Sequence, residues 1–114
     1  MKICEIAEAV NGEIVCCSER AEDSIDCAFA SDLMSDVLTL KLHNFMLITG
    51  LSNIQSVRTA EMSDLQYVLI VRNKNITLDM IELAEESGIV LIRSPFSLFK
   101  ASGVLYEKGL KPVY

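Results

Sequence analysis

Hydrophobic residues occur along the chain in two patterns, a helical period and short continuous runs typical of buried strands. In the opening segment, Ile3, Ile6, Ala7 and Val10 fall on one side of a helix. Gly12 follows them as a natural left-handed stop. The chain therefore predicts a short amphipathic helix at its start.

Two short strands and a second helix are predicted next. The segments EIVCC and DCAFA favour strands, and the polar segment SERAEDS between them favours a loop. Ser31 or Asp32 can cap the helix predicted in DLMSDVLTL. The apolar residues that share one side of this helix are Leu33, Met34, Val37 and Leu38.

A regular alternation of apolar and helical segments fills the rest of the chain. FMLITG precedes a helix from about Asn53 to Ser63, YVLIVRN precedes TLDMIELAEESG, and IVLIRS precedes PFSLFKASGVLYEKG. Strands that are apolar almost throughout are typical of a parallel sheet covered on both faces, with right-handed crossovers through the helices. We therefore expect an α/β fold: a single three-layer domain over residues 1–114, with a mainly parallel sheet flanked by helices.

The ends of the last two helices carry recognisable signals. Thr77 stands at an N-cap position with Asp79 in the first turn, and Gly88 fits a glycine stop. Ser94 and Pro95 predict the start of the last helix, because proline is tolerated at the first helical position.

The last helix carries one stripe of aromatic and small residues, which are Phe99, Ser102, Gly103 and Tyr106. The small residues predict a close approach to another backbone, either the sheet or a second subunit, and we favour the sheet. The tail LKPVY is expected to form an edge strand or an arm.

Composition narrows the class of protein. The 114 residues are 51% hydrophobic, enough for one core, and apolar segments are too short for a membrane span of roughly 18 residues. The N-terminus carries glutamates where a signal peptide would be apolar. A net charge of -6 without a basic run argues against nucleic acid. We expect a cytoplasmic protein that binds neither nucleic acid nor membrane.

Four cysteines lie in the first quarter of the chain: Cys4, Cys16, Cys17 and Cys27. No C-x-x-C motif is present, and adjacent residues on a strand point to opposite faces. We expect reduced thiols that pack as small hydrophobes. The alternative is a thiolate site that pairs Cys4 or Cys27 with one of the adjacent cysteines.

Familiar catalytic motifs are missing from the sequence. It contains no P-loop, no G-x-G-x-x-G and no G-x-S-x-G. The single histidine, His43, is expected to be an exposed loop residue, and Asp32 and Asp36 could hold a divalent ion only with ligands from elsewhere. The sequence therefore nominates no catalytic residue, no metal site and no cofactor.

Polar residues follow the predicted parallel strands at their carboxyl ends, where ligands bind in open parallel sheets. The candidate ligand-binding residues are Thr49, Gly50, Arg72, Asn73, Lys74, Arg93, Ser94 and Ser31, with Asp32 as a possible neighbour. Arginine forks and backbone N–H groups there could hold a phosphate or carboxylate. The alternative is that these loops are polar only because they are exposed.

The ordered series ASDLMSDVL, LITGLSNIQSVRTAEM, YVLIVRNKNITLDMIELAEESGIVLI and SPFSLFKASG resembles the DRTGG domain family. The likeness extends from the first helix to Gly109. Members are small α/β domains that occur as separate chains and as regulatory segments of phosphate acetyltransferases and CBS-containing pyrophosphatases. A related fold begins HPr kinase/phosphorylase. Members often carry Gly-Asp-Arg and Gly-Gly where this chain has Gly50-Leu51-Ser52 and Arg72-Asn73-Lys74.

The resemblance implies a non-enzymatic regulatory module. We expect a homodimer that binds a small anionic metabolite or nucleotide at the strand ends, or that presents a surface to a partner enzyme. The alternative is a pure interaction and dimerisation module without a small ligand. A third hypothesis is a small enzyme that uses cysteine chemistry, with a thiolate of lowered pKa.

Overall fold

The computed structural model describes residues 1–41 and 44–114, so the prediction for His43 lies outside the described residues. The helices are α1 (Ile3–Ala9), α2 (Met34–Leu38), α3 (Ile54–Met62), α4 (Leu78–Ser87) and α5 (Leu98–Glu107), with a short 3-10 helix at Ser18–Arg20. The strands are β1 (Glu13–Cys16), β2 (Cys27–Ala30), β3 (Phe45–Thr49), β4 (Tyr67–Ile70), β5 (Val90–Arg93) and β6 (Lys111–Pro112).

All of these strands belong to one six-stranded sheet with the order β1-β5-β4-β3-β2-β6. Strands β2 to β6 run parallel, and only β1 pairs antiparallel, with β5, among the strands of the described chain. Helices α2, α3 and α4 pack together in one group and α1 and α5 in another. The prediction of a three-layer α/β domain with a mainly parallel sheet is confirmed.

The core follows from this layering. Every residue of β3 and β4 is buried, because both faces of the central strands are covered. The predicted apolar side of α1 is buried as well, through Ile3, Ile6, Ala7 and Val10. In the tail, β6 pairs with β2 at the sheet edge, so the edge-strand alternative is the right one. In the described part of the chain, none of the helices has the length and apolar character to cross a membrane.

The end of α1 differs from the prediction. Asn11, with φ 56°, takes the left-handed conformation that was expected at Gly12. Gly12 is needed for a different reason: a Cβ built on it would lie 2.6 Å from the backbone oxygen of Arg93. Glycine therefore allows the chain to pass close to β5 before it enters β1.

The start of α5 was also predicted wrongly. The helix begins at Leu98, and the Ser97 hydroxyl caps it by accepting from the Lys100 N–H at 3.1 Å. Ser94 is instead fully buried, and its hydroxyl donates to the Val10 carbonyl at 2.7 Å. A buried hydroxyl takes the partner that the core offers, and here this partner is the C-cap residue of α1.

The prediction for the ends of α4 is confirmed, and the prediction for α2 is partly right. Thr77 is the N-cap residue of α4, and Gly88 ends that helix in the left-handed conformation with φ 70°. Helix α2 is shorter than predicted. Its N-cap is Leu33, which is exposed, and the Ser31 hydroxyl accepts from the Leu33 N–H at 2.9 Å in a local turn. Leu38 is also exposed, so the predicted apolar side of α2 is only partly buried.

The stripe on α5 faces the sheet only through Ser102, which is half-buried and lines a cavity with residues of β2 and β3. Phe99, Gly103 and Tyr106 are exposed, and a Cβ built on Gly103 would meet nothing within 4 Å. The residues of α5 that are buried against the rest of the fold are Ala101 and Leu105.

Candidate functional site

The carboxyl ends of β2, β3, β4 and β5 meet at one edge of the sheet. Register pairs Ala30 with Ile48, Thr49 with Ile70, and Ile70 with Arg93. The residues that follow these strands therefore lie side by side, because neighbouring parallel strands end together. All eight candidate residues named from the sequence lie at this carboxyl edge or in the loops that leave it.

Asp32 organises the part of the carboxyl edge beside β3. Its Oδ1 atom accepts from the Thr49 hydroxyl at 2.9 Å and from the Gly50 N–H at 2.6 Å. The Thr49 oxygen in turn accepts from the Leu51 N–H at 3.2 Å. From the sequence, Asp32 was only a possible neighbour of the ligand-binding residues. In the structure its carboxylate accepts from the Gly50 N–H, a backbone donor that we expected an anion to use.

The turn from β3 into α3 is closed by its own side chains. Asn53 caps α3 by accepting from the Ser56 N–H at 2.8 Å, and the Ser52 hydroxyl donates to the Asn75 carbonyl at 2.5 Å. These bonds tie the turn to itself and to the loop after β4. The backbone donors of Gly50, Leu51 and Ser56 therefore already have partners within the chain.

The turn after β4 has an unusual backbone. Arg72 and Asn73 both adopt positive φ, 68° and 53°, in the left-handed region that glycine prefers. Each is fixed by a backbone bond: the Arg72 N–H donates to the Phe96 carbonyl at 2.7 Å, and the Asn73 N–H donates to the Ser94 carbonyl at 2.9 Å. A non-glycine residue in this conformation costs about 1–2 kcal/mol. The chain thus keeps a glycine-type turn without glycine.

This turn brings the Arg72 side chain over the end of β3. A Cβ built on Gly50 would lie 3.2 Å from the Arg72 Nη1 atom and 3.4 Å from the Asp32 Oδ2 atom. The Arg72 guanidinium and the Asp32 carboxylate therefore flank the bare Cα of Gly50. No carboxylate within the described ranges comes close enough to Arg72 to form an ion pair. Arg72 is an exposed residue of the carboxyl edge.

Arg93 and Ser94 take different roles from Arg72. Arg93 lies across the antiparallel pair from Glu13 and forms an ion pair with it at 3.4 Å. With Asn73 and Pro95 it lines a shallow pocket of about 280 Å³ between β1 and the turn after β4. The Ser94 hydroxyl accepts from the Phe96 N–H at 3.1 Å besides bonding Val10. The Ser94 hydroxyl thus has both a donor and an acceptor partner within the chain.

Two candidate residues, Lys74 and Ser31, remain to be placed. Lys74 is half-buried in the loop after Asn73, and Ser31 leaves β2 with its N–H bonded to the Ile48 carbonyl at 3.0 Å. The carboxyl edge is therefore divided. Arg72, Gly50 and Asp32 form one group, and Arg93, Asn73 and Glu13 form another beside β1. We call the first group the Arg72 site.

Two of the four cysteines lie against each other in the core. Strand β1 ends at Cys16, and Cys17 has φ 61°, so the two side chains do not point to opposite faces as predicted; their sulfur atoms lie 3.6 Å apart in the core. Burial, together with the Cys17 contact, raises the pKa of Cys16 to about 12. Burial likewise raises the pKa of Cys27. None of the four thiols forms a disulfide. In residues 1–41 and 44–114 the His, Cys, Asp and Glu side chains form no cluster that could hold a metal ion.

Comparison with known proteins identifies a fold but not a family. No family model matches the sequence, and no curated protein matches it. Among solved structures, the chain is similar to the CBS and DRTGG domains of the regulatory region of Clostridium perfringens pyrophosphatase, determined with its activator diadenosine tetraphosphate. The TM-score is 0.73 at 16% identity, and the match covers 98% of this chain but 48% of the other. The similarity supports a DRTGG-like fold, and this chain spans about half the length of that neighbour.

Proposed function

We propose that the chain is a non-enzymatic regulatory module of the DRTGG kind, a cytoplasmic homodimer that binds a small anionic metabolite or nucleotide at the carboxyl edge. The observation that carries the proposal is the Arg72 site. Two consecutive left-handed residues hold an exposed guanidinium over Gly50 at the edge where ligands bind in parallel sheets. Backbone strain of this kind clusters at ligand clamps.

The chemistry of the site favours a particular class of anion. The guanidinium of Arg72 offers a planar fork of donors that matches phosphate, and Lys74 adds a second positive charge nearby in the chain. Asp32 next to it would repel a bare phosphate, but its Oδ2 atom can accept from a hydroxyl group. A nucleotide combines both features, since it carries phosphate and ribose hydroxyls. We therefore favour a nucleotide over inorganic phosphate.

The comparison supports this proposal at the level of class. The similar protein is the regulatory region of an enzyme, in complex with a nucleotide activator. A regulatory module that senses a nucleotide for a partner enzyme is consistent with that neighbour and with the resemblance of the sequence.

The test is a thermal-shift panel of adenine nucleotides, acetyl phosphate, coenzyme A and inorganic phosphate. A ligand at about 100 times its dissociation constant adds roughly 2.7 kcal/mol to the free energy of unfolding, which raises the melting temperature by several degrees. We expect this rise with at least one nucleotide on the wild type. The rise should be lost in the Arg72→Ala variant and reduced in Arg93→Ala.

A matched control removes charge elsewhere. The Lys2→Ala, Lys108→Ala double variant loses two positive charges outside the carboxyl edge, both from exposed side chains. It should keep the full ligand-induced shift. A shift that is equal in the Arg72→Ala variant, or lost equally in the control, would contradict a site at Arg72.

A second candidate function is a pure interaction module that binds no small ligand. The observation that favours it is the exposed aromatic face of α5, with Phe99 and Tyr106 in solvent. The absence of any shift across the panel, together with stable self-association, would favour this function. The third hypothesis, cysteine catalysis, requires a lowered thiol pKa, whereas burial raises the pKa of Cys16 and of Cys27.

A further inference from the structure

The outward face of α5 exposes two aromatic side chains on either side of a glycine. Phe99 is 89% exposed and Tyr106 is 69% exposed. They lie seven residues apart, on the same side of the helix. Gly103 lies between them, and a Cβ built on it would meet nothing within 4 Å. This face therefore leaves large apolar surface in water and has room for a second helix to approach closely.

An apolar cavity of about 190 Å³ lies beside this face. Its wall includes Ser102, Leu105 and Tyr106 of α5 and continues over residues of β2, β3 and β6. An apolar cavity of about 150 Å³ is large enough to hold a benzene molecule. The cavity therefore has room for one phenyl ring, and Phe99 is too exposed to be the ring that fills it in its own chain.

The charges along α5 are arranged in a self-complementary way about Gly103. An aromatic and a charged residue precede Gly103, Phe99 by four positions and Lys100 by three. An aromatic and an oppositely charged residue follow it, Tyr106 by three positions and Glu107 by four. A two-fold axis at Gly103 would set two α5 helices antiparallel. Phe99 would then meet Tyr106 of the second copy, and Lys100 would meet its Glu107.

We propose that a second copy of this chain docks on this face, with the α5 helices crossing antiparallel at Gly103 and each Phe99 ring entering the cavity beside Tyr106 of the other copy. A two-fold interface of this kind uses the same patch on both chains. Four aromatic side chains would bury roughly 600–1,000 Å² of the roughly 1,200–2,000 Å² in a stable interface. The inference rests on the homodimer of the proposed function and assigns the surface that forms it.

Sedimentation velocity from about 1 to 500 μM, without added ligand, tests the interface. The wild type should dimerise, and Phe99→Ala should weaken dimerisation by about a hundredfold or more, because a buried aromatic anchor is lost twice. Lys100→Glu and Glu107→Lys should each weaken it by about tenfold or more, because each places like charges together. An equimolar mixture of these two charge variants should form a heterodimer, since both opposite-charge pairs return.

Gly103→Ala separates folding from association. Alanine favours the helix and meets open space in the single chain, so the variant should fold at least as well as the wild type. Two new methyl groups at the crossing point should nevertheless weaken the dimer. A wild type that stays monomeric, a dimer unaffected by Phe99→Ala, or charge variants that fail to pair would overturn the proposal. A monomer that still binds a nucleotide through Arg72 would overturn this interface and leave the ligand site standing.

Discussion

At the scale of single residues, Arg72 combines a conformational cost with a proposed binding function, and the two can be separated. Its φ of 68° is strained for arginine and free for glycine. Arg72→Gly should therefore leave the free energy of unfolding unchanged or raise it by about 1 kcal/mol, because the relief of about 1–2 kcal/mol exceeds the entropy that glycine adds to the unfolded chain. The same variant should lose nucleotide binding. Urea unfolding and the thermal-shift panel measure the two effects.

Two variants serve as controls for this prediction. Arg72→Ala keeps the strained backbone and removes the guanidinium, so it should lose binding without gaining stability. Asp64→Gly relieves a φ of 56° outside the carboxyl edge and keeps the guanidinium, so it should retain binding. If Arg72→Gly instead kept full affinity, the turn rather than the side chain would be the recognition element.

Asp32 allows a second prediction at this scale, about the class of ligand. Asn in its place retains an oxygen that accepts from Thr49 and Gly50 but removes the negative charge. Asp32→Asn should therefore bind inorganic phosphate more tightly than the wild type, by about tenfold for the loss of one repulsive charge. Affinity for a nucleotide should rise less. Titration calorimetry of both ligands on both proteins gives the comparison, and equal gains would argue against a hydroxyl contact at Asp32.

These residues show how far the sequence predicts the site. Apolar strand patterns were enough to place Thr49, Arg72 and Arg93 at one edge, because parallel strands end together. The left-handed φ of Arg72 was not predictable, since the usual signal is glycine and none stands there. The bonds that engage Asp32 and Ser94 were equally hidden, because they depend on which backbone groups the packing leaves unpaired.

At the scale of elements, Arg20 fixes the loop before β2 against the edge of the sheet that lies opposite the carboxyl edge. Its guanidinium donates to the Gly88 carbonyl at 2.5 Å, the Gln66 side-chain oxygen at 2.6 Å and the Tyr67 hydroxyl at 2.9 Å. It also pairs with Asp23 at 2.8 Å, and Tyr67 donates to the same carboxylate at 3.0 Å. One side chain thus connects the 3-10 helix to Gln66 just before β4, to β4 itself and to the end of α4.

Replacing Arg20 should therefore cost far more than an ordinary surface change. Arg20→Ala should lower the free energy of unfolding by about 2–4 kcal/mol, because several partly buried acceptors lose their donor together. Arg20→Lys should cost nearly as much, since one ammonium cannot reproduce the planar fork. Chemical denaturation measures both. Lys2→Ala, which breaks an exposed ion pair with Glu22, should change stability little, and an equally mild Arg20→Ala would disprove the connecting role.

Element types were easier to predict than element ends. The alternation of apolar and helical segments was strong enough to give the central parallel sheet, because it repeats three times with helices of crossover length. The start of α5 could not be predicted, since Ser94-Pro95 and Ser97 carry the same local signal for a helix start. Only packing against Val10 decides between them. The place of β1 and β6 at the two edges also lay beyond the sequence, because strand order depends on contacts between distant segments.

At the scale of the whole molecule, a buried thiol links stability to alkaline pH. Burial raises the pKa of Cys16 to about 12, whereas a thiol in an unfolded chain has a pKa of about 8.5. Between these values the unfolded chain loses a proton that the folded protein keeps. The free energy of unfolding should therefore be unaffected by this group below about pH 8.5 and should fall above it, by up to about 1.4 kcal/mol per pH unit.

The variant Cys16→Ala isolates that contribution, because lysines and tyrosines titrate in both proteins over the same range. At pH 7 the variant should be less stable than the wild type, since it loses the thiol's packing and its contact with the Ile89 carbonyl at 3.1 Å. The difference in free energy of unfolding between the two proteins should shrink between about pH 9 and pH 11. Over this range only the wild type loses stability through ionisation of Cys16 as the pH rises. Urea unfolding across that range measures it. Parallel curves for the two proteins would mean that Cys16 ionises as easily in the folded protein as in the unfolded chain, and a cysteine-based function would then regain its chemical basis.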